Sequence, residues 1–240
     1  MNSTHHEDEI FQEKRKPKNP IKFKIELSQE QKEAKSKILE NTVTLLAGSA
    51  GSGKTLLACQ IALEKLFMKE IEKIIITRPT VSKEEIGFLP GDLREKMDPW
   101  VQPIYQNMYA LYDRVKIEKH IQEGDIEIVP VSFMRGRTFL DSMVIVDEAQ
   151  NVTHEQMEMI VTRLGLRSKM IICGDDNQVD LKNKRDSGFR FLYTASKKIK
   201  NLAAISLKTN HRNPIVEDLI SYYEDAHENG ISLTTSGSKK

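Results

Sequence analysis

Apolar residues along this chain gather in short runs: residues 43–47, 74–77, 126–129, 143–146, 170–173 and 203–207, each four or five residues long. A run with no polar interruption, such as Met143-Val144-Ile145-Val146, fits a strand buried on both faces of a parallel sheet. Stretches of helical composition lie between the runs, at residues 28–39, 55–68, 98–115 and 154–164. A last helix opens at Asn210-His211-Arg212-Asn213-Pro214, where the fixed φ of Pro214 suits a first turn. Strands alternating with helices predict an α/β fold. The expected architecture is one three-layer domain, a mostly parallel sheet of about five strands with helices on both faces. Residues 28–228 form this domain, residues 1–27 a charged arm and residues 229–240 a loose tail rich in Ser, Thr, Gly and Lys.

Two helices carry further detail. Ser28 reads as an N-cap, with Gln31 three residues on as its capping-box partner. A carboxamide at Gln31 can equally read the donor and acceptor edge of a purine brought beside it. Tyr105, Tyr109 and Tyr112 fall on one helical face. Such a stripe is core, or a surface on which bases stack. Between them and the second strand, Gly87-Phe88-Leu89-Pro90-Gly91-Asp92 is a turn-rich connector.

Charge narrows the picture only locally. Lys plus Arg number 36 and Asp plus Glu 35, so the net charge of +1 by itself argues for no nucleic-acid or membrane partner. Residues 182–200 depart from this balance, with seven basic residues against one acid, Asp186. That segment is a nucleic-acid face or a solvated surface. A basic run at residues 14–18 allows the same two readings. Cys59 and Cys173 have no His or Cys companions at metal spacing and read as free thiols of a reducing compartment. No run reaches the length of a membrane span, and the first residues lack an apolar signal core. The expectation is a soluble, cytoplasmic protein with no membrane partner.

The most informative stretch is Gly48-Ser49-Ala50-Gly51-Ser52-Gly53-Lys54-Thr55, which matches G-x-x-x-x-G-K-[ST] between a strand and a helix. Successive backbone N–H groups of such a loop turn inward on phosphate, and the helix N-terminus adds to the attraction. Lys54 brings a positive charge to the β- and γ-phosphates. The Thr55 hydroxyl is placed to ligate Mg²⁺. The whole run from Gly48 through Leu56 is the predicted nucleotide contact. The strand at residues 143–146 ends in Asp147-Glu148. Adjacent carboxylates there divide labour, Asp147 on the metal and Glu148 taking a proton from an attacking water. Gln178 follows the next strand and is placed to sense a γ-phosphate. Arg135 and Arg137 flank Gly136 in a compact cationic loop that suits phosphate oxygens, or surface salt bridges. Arg212 is a candidate transition-state cation, or a helix-start ion pair.

Assembled, these stretches resemble the PhoH family of P-loop ATPases. The resemblance rests on the phosphate loop, Thr77-Arg78-Pro79, the Gly87–Asp92 connector, Met134-Arg135-Gly136-Arg137-Thr138, Asp147-Glu148-Ala149-Gln150-Asn151, and Gly174-Asp175 with Gln178. It covers about residues 28–220. The family's core is similar to the first RecA-like domain of superfamily 1 helicases. The likeness implies Gln31 at adenine, Arg78 and Thr138 near nucleic acid, Gln178 as γ-phosphate sensor and Arg212 in a helicase-type arginine position. Ala34 stands where the family usually carries an aromatic, and His211 where helicases often carry Tyr. The implied activity is ATP hydrolysis with Mg²⁺, coupled to RNA or single-stranded DNA. A lone RecA-like domain implies a homo-oligomer, a ring of six by resemblance. Some family members also carry a nuclease domain; the segment before Ser28 is too short for one, so no ribonuclease activity is expected. Rival classes are a thymidine-kinase-like phosphotransferase and a non-catalytic, nucleotide-dependent nucleic-acid-binding module. The former commonly carries a four-cysteine zinc site, which two cysteines do not supply.

Overall fold

The computed structural model describes residues 21–79 and 93–228. The basic run at 14–18, the connector at 87–92 and the tail at 229–240 lie outside the described residues. Six parallel strands form one sheet, against about five expected: β1 (Val43–Gly48), β2 (Lys73–Thr77), β3 (Ile126–Ile128), β4 (Ser142–Val146), β5 (Lys169–Gly174) and β6 (Leu202–Leu207). Their order across the sheet is β3-β2-β4-β5-β1-β6. Every strand pair is parallel, so all six C-terminal ends share one edge. Each of the six apolar runs forms a strand; the shortest, β3, is a three-residue edge strand that pairs with β2.

Seven α-helices are described: α1 (Gln29–Glu40), α2 (Lys54–Phe67), α3 (Leu93–Leu111), α4 (Arg114–Glu123), α5 (His154–Val161), α6 (Gly188–Ala195) and α7 (Pro214–Glu228). Alternation along the strands feeds two cores. Ile74 and Ile76 of β2 join Ile38, Leu57, Ile61, Met108 and Ile117, from α1 to α4, on one face. Ile75 between them joins Met157, Ile160 and Phe189, from α5 and α6, on the other. The sheet is thus covered on both sides, as the apolar runs predict. Phe23, Ile25 and Leu27, assigned above to the arm, pack against the first core.

The capping box at the start of α1 is present, with Ser28 and Gln31 bonded reciprocally. The tyrosine stripe follows the margin of the core rather than its centre, with Tyr109 and Tyr112 packed against it. The core face of α3 is Ile104, Met108 and Leu111, fully buried, and the helix ends at Leu111. Tyr112 lies beyond it and packs on Phe67, with ring centroids 4.8 Å apart. Tyr109 lines the edge of the core, and Tyr105 stacks on Tyr109 at 6.2 Å. A third of a turn separates the tyrosines from the true core stripe.

Candidate functional site

A cleft of about 560 Å³ opens at the C-terminal edge of the sheet, where ligands gather in open α/β folds. Its floor is the turn joining β1 to α2. Gly51 at φ +90° and Gly53 at φ +80° adopt backbone that side chains resist. Gly53 is also the N-cap of α2, so the first free N–H groups of that helix open on the cleft. Ala50, Gly51, Gly53, Lys54, Thr55 and Leu56 line the cleft. Ser52 is buried beneath the loop and its Oγ donates to Ser49 O at 2.9 Å. Lys54 Nζ donates to Gly48 O at 2.7 Å and Ser49 O at 2.9 Å.

The inner wall comes from the ends of β4 and β5. Asp147 is 5% exposed, and its Oδ1 accepts from Thr55 Oγ1 at 2.6 Å. Burial pushes the Asp147 carboxyl upward, against the hydrogen bond from Thr55. A buried carboxylate beside a hydroxyl is an oxygen donor set that fits Mg²⁺, whose charge would offset that burial. Glu148 follows in left-handed backbone, φ 50°. Its Oε2 accepts from Gln150 Nε2 at 2.7 Å, and Arg78 Nη2 lies 3.7 Å from its Oε1. Gln150 is 1% exposed, and its Oε1 accepts the backbone N–H of Asp175 at 3.0 Å. One buried amide thus ties the end of β4 to the end of β5. Gln178 lies on the turn that follows, its N–H bonded to Asp175 O at 3.1 Å, and lines the cleft.

The outer wall is a strap after β6. His211 N donates to Gly51 O at 3.0 Å. Asn210 Oδ1 and Arg212 Cγ come within 2.6 and 2.7 Å of where a Cβ on Gly51 would sit, which leaves no room for one. Arg212 therefore lines the cleft of its own chain. Glu30 of α1 holds the strap's root, accepting from Lys208 N at 2.7 Å and Thr209 N at 3.1 Å. The Lys208 N–H, helped by the side chain and N–H of Thr209, holds the Glu30 carboxyl below its ordinary range. Gln31 closes the corner and lines the cleft. Its Oε1 accepts from Ser28 N at 3.1 Å, while its Nε2 lies 2.7 Å from a Cβ position on Gly53.

The structure separates the remaining predicted residues from the cleft. Arg137 Nη2 donates to Glu127 Oε2 at 2.7 Å and its guanidinium stacks on Phe139. Burial would raise the Glu127 carboxyl, but Lys73 and Arg137 outweigh it and hold it low. This is the salt-bridge alternative for Arg137. Arg135 is exposed in the adjoining turn. Thr138 lies beside Gly165, before β5 begins, toward the opposite edge of the sheet. Arg78 pairs with Glu148 and does not line the cleft. Exposed basic residues cover 182–200, and one of them, Arg190, pairs with Asp176 at 3.4 Å. Cys59 and Cys173 are buried free thiols, which burial pushes up in pKa.

Sequence reasoning assigned no part to Gln150 or Glu30. Gln150 was visible inside Asp147-Glu148-Ala149-Gln150, but its reach to β5 is a tertiary fact. Glu30 reads locally as a first-turn acid favoured by the helix dipole. Among the described residues no helix is long and apolar enough to cross a membrane.

The PhoH-like protein profile matches residues 24–224. The chain belongs to the PhoH-like family. A PhoH-like protein of Synechocystis is 42% identical over 190 residues, 78% of this chain and 58% of that protein. A PhoH-like protein of Bacillus subtilis is 42% identical over 197 residues, 81% of this chain and 62% of that protein. The chain therefore spans about three-fifths of the length of these curated relatives. Among solved structures, the large terminase of a thermophilic bacteriophage superposes with a TM-score of 0.55 at 11% identity, covering 82% of this chain and 50% of that one. That likeness is one of fold. The family and the parallel sheet with its phosphate loop give a RecA-like P-loop NTPase fold.

Proposed function

We propose that this chain hydrolyses ATP with Mg²⁺, coupled to single-stranded RNA or DNA. The observation that carries the reading is the convergence of Lys54, the Thr55–Asp147 pair and Glu148 on one cleft. Lys54 and the N–H groups of the loop neutralise phosphate charge. Thr55 and Asp147 hold Mg²⁺, which supplies charge at the transferring phosphoryl group. Glu148 takes the proton of the attacking water. Gln178 orients that water or senses the γ-phosphate, and Gln31 reaches adenine over Gly53. Arg212 offsets the charge of the transition state. Its contact with Gly51 supports action within its own chain, while a homo-oligomeric ring adds a partner at the exposed rim. The exposed basic residues of 182–200 support backbone contacts with nucleic acid, whose affinity falls steeply with salt. The test is phosphate release by wild type and Lys54→Ala. Affinity and turnover should both drop in the variant. Equal hydrolysis by the two proteins removes the assignment.

A further inference from the structure

We propose that Arg78 is a positioning residue through which single-stranded nucleic acid controls Glu148; this rests on the ATP-hydrolysis reading above. Glu148 has a foot in two places. It lines the cleft, and it also pairs with a guanidinium that does not. Arg78 thus reaches Glu148 from outside the nucleotide cleft. With Gln150 on Oε2 and Arg78 on Oε1, both carboxylate oxygens have a partner. A carboxylate held at both oxygens is not free to turn to a water.

The two restraints differ in kind. Gln150 is buried, and its bond to Glu148 is short at 2.7 Å. Arg78 stands at 3.7 Å, an ion pair too long to be a hydrogen bond, with 26% of its side chain exposed. The backbone around it is fixed on both sides. Thr77 O accepts from Asp147 N at 2.8 Å, and Pro79 O accepts from Trp100 Nε1 at 3.4 Å. The side chain alone is therefore free to exchange partners. A phosphodiester offers oxygens that a guanidinium engages in a fork, which competes well with a carboxylate held at such a distance. The site also has a source of attraction for that polyanion. Arg190, within the basic segment 182–200, pairs with Asp176, the neighbour of the Asp175 whose N–H binds Gln150. Nucleic acid gathered by the first part of that segment, Lys182 to Arg190, arrives at the same end of the sheet, while Lys197 to Lys200 lead into the start of β6 at the opposite edge. Arg78 then moves onto the backbone phosphate, and Glu148 keeps only Gln150 and faces the cleft.

The experiment is steady-state phosphate release by wild type, Arg78→Ala and Arg78→Lys, each with no nucleic acid, with oligo(dT) and with oligo(U). Wild-type turnover should rise with at least one oligonucleotide, and the one that acts identifies DNA or RNA as the source of the phosphodiester. Arg78→Ala should turn over faster than wild type when no oligonucleotide is present, because its restraint on Glu148 is gone, with the stimulation lost and KM for ATP kept. Arg78→Lys retains a positive charge and should keep part of the stimulation. A folded Arg78→Ala that is still stimulated, or that has lost turnover in every condition, overturns the proposal. Wild type that hydrolyses ATP but ignores both oligonucleotides overturns it too, and leaves the ATPase standing. Only a wild type without hydrolysis removes both readings.

Discussion

The two walls of the cleft are built on opposite terms. The inner wall, Asp147 to Gln150, grows from the ends of central strands and buries two of its three polar side chains; Asp147 is 5% and Gln150 1% exposed, while the Glu148 side chain keeps 40%. Each of its buried polar groups depends on one or two internal partners, and an orphaned one has no solvent to turn to. The outer wall, Asn210 to Asn213, is largely exposed and rests on the phosphate loop through one backbone bond and the Glu30 tie. Its groups re-solvate at little cost. On the function proposed above, the metal-holding and proton-taking groups stand on the buried wall, Arg212 is the one chemical group on the exposed wall, and capture and release of nucleotide fall to the exposed wall. Variants of the inner wall should then change kcat, and variants of the outer wall other than Arg212 should change KM.

The sharpest test of that division is Glu148→Gln. The change keeps shape and the bond from Gln150 but removes the base. A positioned general base is worth ~10²–10⁴-fold. Turnover should fall at least ~100-fold, about 2.7 kcal/mol of barrier at ~1.36 kcal/mol per tenfold. ATP affinity should hold, so the variant traps the loaded state in a nucleotide-binding assay. Near-wild-type hydrolysis would remove Glu148 as the base. Loss of ATP binding would mean that it shares the metal or the fold, and the two carboxylates would not divide labour.

Gln150→Leu probes the same wall one step back. It strands the buried N–H of Asp175 and leaves Glu148 with Arg78 alone. An orphaned buried group costs ~1–3 kcal/mol. At ~2–4 °C per kcal/mol for a chain of this size, a thermal melt should show a clear drop in Tm. Turnover should fall by less than in Glu148→Gln, because the base remains. An unchanged Tm would show the inner wall to be less tightly wired than its hydrogen bonds indicate.

What the sequence disclosed follows the same split. The strand at 143–146 and its terminal carboxylates were legible because a buried strand writes an apolar run and the acids follow it directly in the sequence. The phosphate loop was legible because its glycines and Lys54 are local requirements of one turn. Gln31 was legible as two alternatives; the capping bond is present, and the amide's other end lies beside Gly53 in the cleft. The tyrosine stripe marked the margin of the core and not its centre, because the packing of α3 on the fold decides which helical phase is fully buried. Arg137 fell to the salt-bridge reading because Glu127 lies across the fold on β3. The Arg78–Glu148 pair and the Glu30 strap tie join residues distant in sequence, and no local pattern encodes them.

Glu30→Gln should give the smallest effect and reaches the outer wall. The carboxamide keeps one acceptor for Lys208 N or Thr209 N but loses the charge. The strap should loosen against Gly51, so KM for ATP rises while kcat holds. The rise should be less than about fivefold, given that 1.4 kcal/mol is about tenfold. The pH dependence has a definite sign. The Lys208 N–H lowers the Glu30 carboxyl in the folded chain, so the folded state releases this proton more readily than the unfolded one. Its contribution is therefore complete above the ordinary carboxylate range and is lost as pH falls through the lowered folded value. Wild type should melt slightly above Glu30→Gln at neutral pH, by about 1 kcal/mol or less, the scale of exposed charge interactions. The difference should shrink on acidification. A difference that grows toward acid pH, or a drop in kcat with KM unchanged, would place Glu30 with the chemistry and end the contrast between the two walls.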